Sequence, residues 1–60
     1  MDEYVVEEIV GARTKKVGQG YRQEVLVKWA GYIDPTWELR AELEGTEALE
    51  QFLQLRAIEQ

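Results

Sequence analysis

A chain of 60 residues with no cysteine and no histidine must hold its shape by burying apolar side chains, because neither a disulfide nor a Cys/His zinc site is open to it. That length lies near the lower limit at which one hydrophobic core sustains a fold, so residues 1–60 are expected to form a single compact domain. The apolar material suffices: hydrophobic residues make up 45% of the chain and include two tryptophans and three tyrosines, which argues against wholesale disorder. Serine and asparagine are missing too, so Ser-His and Cys-His nucleophilic machinery is excluded by inventory, and most enzyme classes go with it. No cofactor and no metal are expected. No apolar run reaches membrane-spanning length, and Met1-Asp2-Glu3-Tyr4 is acidic where a signal peptide needs positive charge. The expectation is a soluble, intracellular domain excised from a longer protein.

Periodicity divides the chain into strands followed by a helix. Tyr4–Val10 is rich in β-branched and aromatic residues but interrupted by Glu7-Glu8, which predicts a first strand over about 4–13 with a bulge. Thr14–Gly20 carries two glycines and two lysines between apolar flanks and predicts a hairpin tip longer than the tight two-residue kind. A second strand over 21–29 sets Val25, Val27 and Trp29 on one face and Leu26 and Lys28 on the other. Gly31 and Asp34-Pro35 bracket a turn, after which Thr36–Leu39 supplies a third strand and completes an antiparallel meander. From Thr46 the period becomes helical, with Thr46 as N-cap, Glu47 in the first turn, and Ala48, Leu49, Phe52 and Leu53 along one stripe, predicting a helix over about 46–57. The fold class is therefore α+β, a small three-stranded antiparallel sheet with a C-terminal helix packed across it.

Twelve carboxylates against seven lysines and arginines give a formal charge of −5, which disfavours duplex nucleic acid as principal ligand and favours a basic partner. Four of the seven cations, Arg13, Lys15, Lys16 and Arg22, crowd into the hairpin. They are the candidate nucleic-acid contacts.

Three strands and a helix describe several small folds and name no function. The residues narrow the choice. Glu3-Tyr4-Val5-Val6-Glu7, then Leu26-Val27-Lys28-Trp29-Ala30-Gly31-Tyr32, then Thr36-Trp37-Glu38, then a helix with Phe52-Leu53, resembles the chromodomain family from nearly the first residue to about Leu55. The resemblance implies an SH3-like partial barrel and a chromatin-associated, nuclear module, monomeric as an isolated domain. Its expected partner is an extended histone H3 tail peptide bearing a methylated lysine. It implies an aromatic cage from Tyr4, Trp29 and Tyr32, the positions matching the family's cage, and a core position for Trp37, whose loss is expected to unfold the domain. A trimethylammonium keeps its charge, donates no hydrogen bond and is weakly hydrated, so electron-rich ring faces suit it, at about 0.5 to 2 kcal/mol per ring.

In that family the peptide enters as an extra strand between the N-terminal segment and the stretch before the helix. The walls here are Glu3–Glu7 and Glu38–Glu44, giving a groove of Glu3, Val5, Val6, Glu7, Asp34, Glu38, Glu42 and Glu44. Val6 is expected as apolar floor, and Glu38, Glu42 and Glu44 as acceptors for the peptide backbone and an arginine near the methylated lysine. The turn between Tyr32 and Trp37 is shorter than in heterochromatin-protein and Polycomb types, with Asp34 taken as the acidic residue beside the cage. Glu42 stands where those types carry a clamping asparagine, Leu39 replaces a proline, and the first hairpin is longer. These departures fit a divergent member, such as the chromodomains of retrotransposon integrases, as well as a host silencing factor.

Two other classes compete. The hairpin cations suit phosphates, although they lack interleaved exposed aromatics. A protein-pairing domain indifferent to methylation would use the helix, where Leu55 and Ile58 add apolar surface. Catalysis is the least favoured class, since the chain is too short to enclose a cleft around paired carboxylates such as Glu7-Glu8.

Overall fold

The computed structural model describes residues 4–59. Strands β1 (Val6–Val17), β2 (Gly20–Trp29) and β3 (Thr36–Leu39) form an antiparallel sheet in the order β1-β2-β3. A 3-10 helix (Arg40–Leu43) then leads to helix α1 (Glu47–Glu59). The α+β class, the meander and the C-terminal helix agree with the sequence reading.

The hairpin differs. Its tip is tight, with Val17 paired to Gly20 and only Gly18-Gln19 between the strands, so Thr14–Val17 belong to β1 and not to a long loop. Gly18 has φ 58, the conformation that a type II′ turn needs at its first central position. With the turn so compact, Thr14 to Lys16 extend the ladder opposite Gln23 to Tyr21. Polarity made this stretch look like a loop because both its faces meet solvent.

Near its start, β1 shifts register between Val6 and Glu8 and again between Ile9 and Gly11, each time holding one more residue than β2. The first shift is the irregularity that Glu7-Glu8 predicted. Such bulges bend a strand and raise its twist.

The core is small: Ile9, Val25, Val27, Leu43 and Leu49 are buried, and Val6, Trp29, Ala48 and Phe52 pack partly buried against them. Val25 and Val27 come from one face of β2 by the two-residue period, and Leu49 is the buried residue of the helical stripe. Leu53 is more exposed than expected, at the edge of the contact. Thr46 caps α1 as predicted. Its Oγ1 accepts the Leu49 amide at 3.2 Å and donates to the Leu43 carbonyl at 2.7 Å, joining the cap to the 3-10 helix.

Trp37 is not in this core. It pairs with Leu26, which points away from Val25 and Val27, and the residue remains 37% exposed. Strand parity explains the correction, since Trp37 follows its partner to the outer face. There the Arg13 guanidinium lies 4.0 Å from the ring centroid, while Arg13 Nε donates to Glu24 Oε1 at 2.7 Å. Glu24 is 6% exposed and has a second cation, Arg22, at 3.5 Å. The Arg13 hydrogen bond, and the charges of Arg13, Arg22 and Lys15, hold its carboxyl below the usual glutamate range, against the desolvation that opposes them.

Leu49→Ala should cost about 3 kcal/mol in urea unfolding, whereas Trp37→Ala, losing a half-covered ring, should cost about 2 kcal/mol and leave a cooperative transition. Because the folded pKa of Glu24 is depressed, its contribution to stability is complete above the ordinary glutamate pKa and fades as pH falls through the lower, folded value. Urea midpoints measured against pH should therefore drop on acidification, and Glu24→Gln should flatten that drop.

Candidate functional site

The end of β2 runs directly into a turn that carries two of the three predicted cage residues. Residues Trp29–Tyr32 close on a bond from the Tyr32 amide to the Trp29 carbonyl at 3.1 Å, with Gly31 at φ 84. That positive φ at the third position is the requirement of a type II turn, which a side chain would strain. Beside the turn, the segment before β1 is drawn in where the Ala30 amide donates to the Val5 carbonyl at 2.8 Å. This contact brings Tyr4 to the turn although Tyr4 precedes the regular strand.

The three rings meet. Tyr4 and Trp29 lie edge to face with centroids 6.0 Å apart and planes at 76°, and Tyr4 and Tyr32 stack at 5.8 Å and 27°. Both geometries are favourable for aromatic pairs. Tyr4 and Tyr32 keep 64% and 47% of their surface exposed, so the arrangement opens to solvent.

With Asp34, Thr36 and Glu38, the rings line a cavity of about 260 Å³. Among the described residues its walls hold two carboxylates and no cation. Thr36 is a site residue that the sequence reading missed: Trp29 Nε1 donates to its Oγ1 at 2.7 Å, and the same hydroxyl donates to Glu38 Oε2 at 2.7 Å. The indole and the carboxylate are thereby fixed relative to one another. Its signal in the sequence was weak, a β-branched hydroxyl residue on the same strand face as Glu38, two positions on.

The other predicted groove residues are spread more widely. Val6 is partly buried against the core and pairs with Trp29, and Val5 is half exposed beside Tyr4. Glu7 sits 3.8 Å from Lys28. Glu42 lies exposed on the 3-10 helix, and Glu44 follows it, 3.6 Å from Arg40. Glu3 falls outside the described residues. Of the groove set, then, Asp34 and Glu38 reach the aromatic cavity.

The hairpin cations have partly been used by the fold. Arg13 and Arg22 are paired with the buried Glu24, while Lys15 and Lys16 remain exposed farther along the hairpin. A larger open groove of about 410 Å³ separates the hairpin from α1, with Val25, Leu49 and Phe52 on its floor and Arg40 and Arg56 among its lining. Those arginines make it a poor seat for a cationic ligand. Among the described residues no His/Cys/Asp/Glu group could hold a metal ion, and no helix is long and apolar enough to cross a membrane.

A family model for the Chromo (CHRromatin Organisation MOdifier) domain matches residues 4–55, from the first ring of the cavity into α1. No curated protein and no solved structure gives a match. With the match spanning all three strands, the turn and most of the helix, the chain belongs to the chromo domain family, generally non-enzymatic modules that bind methylated histone tails.

Proposed function

We propose that this domain reads a methylated lysine in an extended histone H3 tail peptide, with Tyr4, Trp29 and Tyr32 closing around the alkylated ammonium. The observation that carries the reading is the convergence of three rings beside the carboxylates of Asp34 and Glu38, in a cavity that no cation of the described residues lines. Ring faces attract a cation electrostatically, and the two carboxylates add to the negative potential at the mouth. An unmodified ammonium would have to surrender strongly held water on entering, whereas a trimethylated one gives up little. The cavity therefore favours the methylated form.

The peptide would lie as an added strand against the segment carrying Val5, Val6 and Glu7, opposite Glu38, Glu42 and Glu44. Main-chain bonds supply affinity in that mode, and the glutamates attract the basic residues of a histone tail. The charge of −5 acts in the same direction at longer range. The proposed setting is the nucleus, at chromatin, with no catalytic step.

A titration of tryptophan fluorescence with histone H3 tail peptides carrying trimethylated or unmodified lysine tests the reading. Micromolar binding, about −8 kcal/mol, is expected for the trimethylated peptide, with Trp29→Ala weakening it at least about tenfold while the fold is retained. Equal binding of the two peptides would contradict the proposal.

A further inference from the structure

Lys28 is a cation that neither the core nor the Glu24 network uses. It stands on β2 one residue before the turn, and its Nζ donates to the Tyr32 carbonyl at 2.7 Å and to the Trp29 carbonyl at 3.3 Å. The same nitrogen is 3.8 Å from Glu7 Oε1. These acceptors belong to both halves of the proposed cage. The two carbonyls flank the turn that presents Trp29 and Tyr32, and Glu7 lies on the segment that leads back to Tyr4.

We infer that Lys28 is a positioning residue for methyl-lysine recognition, its ammonium fastening the Trp29–Tyr32 turn and tying that turn to the N-terminal segment before any ligand arrives. The inference rests on the cage reading above. An ammonium suits the task because it offers three N–H donors and competes for none. The bonds to carbonyls are charge-assisted, which strengthens them. The ion pair to Glu7 is longer and half exposed, so it guides the segment more than it holds it.

Without that ammonium, the turn keeps its Tyr32-to-Trp29 backbone bond and the Val5 contact, and Gly31 leaves it free to open. The rings would then have to be ordered during binding, and that ordering is subtracted from affinity. Lys28 acts through the turn and not by touching the ligand.

The experiment compares wild type, Lys28→Met, which keeps the aliphatic stem, and Lys28→Arg, which keeps charge and donors. Lys28→Met should bind a trimethyl-lysine histone H3 tail peptide about tenfold more weakly, the equivalent of one charge-assisted hydrogen bond, and Lys28→Arg should stay within about threefold of wild type. In the free domain, the Tyr32 amide should exchange faster in Lys28→Met at an unchanged cooperative melt. Equal peptide affinity of Lys28→Met and wild type overturns the inference. So does loss of cooperative melting in Lys28→Met, which would make Lys28 a residue of the whole fold. A wild type that binds trimethylated and unmodified peptide alike overturns the cage reading itself, and this inference with it.

Discussion

The two-residue period of β2 is the constraint from which the core and the candidate site both descend. Val25 and Val27 sink into the core on one face, and the next residue on that face, Trp29, packs against the core while turning its ring toward Tyr4. The indole therefore has little freedom left. Its inner surface is packed, its Nε1–H is bound to Thr36, and its backbone opens the turn that delivers Tyr32. A site built on a strand end in this way takes its precision from the sheet, where one set on a free loop would have none to borrow.

The opposite face of β2 has a different use. Glu24 and Leu26 point away from the core, and the fold covers them with Arg13, Arg22 and the Trp37 ring. A buried carboxylate is costly unless paired, so two of the hairpin cations are drawn onto it. The charge distribution follows: the cations concentrated in the hairpin are partly neutralised, and the carboxylates of Asp34 and Glu38 remain at the aromatic cavity. The attraction proposed for a basic peptide would thus include the place where the rings are.

Much of this was legible in the sequence, for physical reasons. Alternation in Val25-Leu26-Val27-Lys28-Trp29, the β-branched run around Glu7-Glu8, and the helical stripe led by Thr46 each state a local preference that the tertiary fold agrees with. The cage trio was named from resemblance, and the structure brings those three residues together. What stayed hidden was decided by pairing register. Whether Thr14–Val17 is loop or strand depends on a two-residue turn at Gly18, and whether Trp37 is core or cover depends on its facing Leu26. The bonds of Lys28 to the Tyr32 carbonyl and of the Trp29 indole to Thr36 span four and seven residues and form only once the turn is folded, so the sequence carries little sign of them. The 3-10 helix was likewise not anticipated in Arg40–Leu43, a short stretch without a glycine or proline to mark it.

The proposed function requires that the three rings recognise positive charge and not merely bulk. Affinity for a histone H3 tail peptide carrying trimethyllysine, set against the same peptide carrying its uncharged carbon isostere, tests that requirement most directly. The two groups match in size and shape and differ in charge. Ring-face recognition predicts that the charged peptide binds at least about tenfold more tightly, given about 0.5 to 2 kcal/mol from each ring. Equal affinity would contradict it and leave the cavity a hydrophobic pocket.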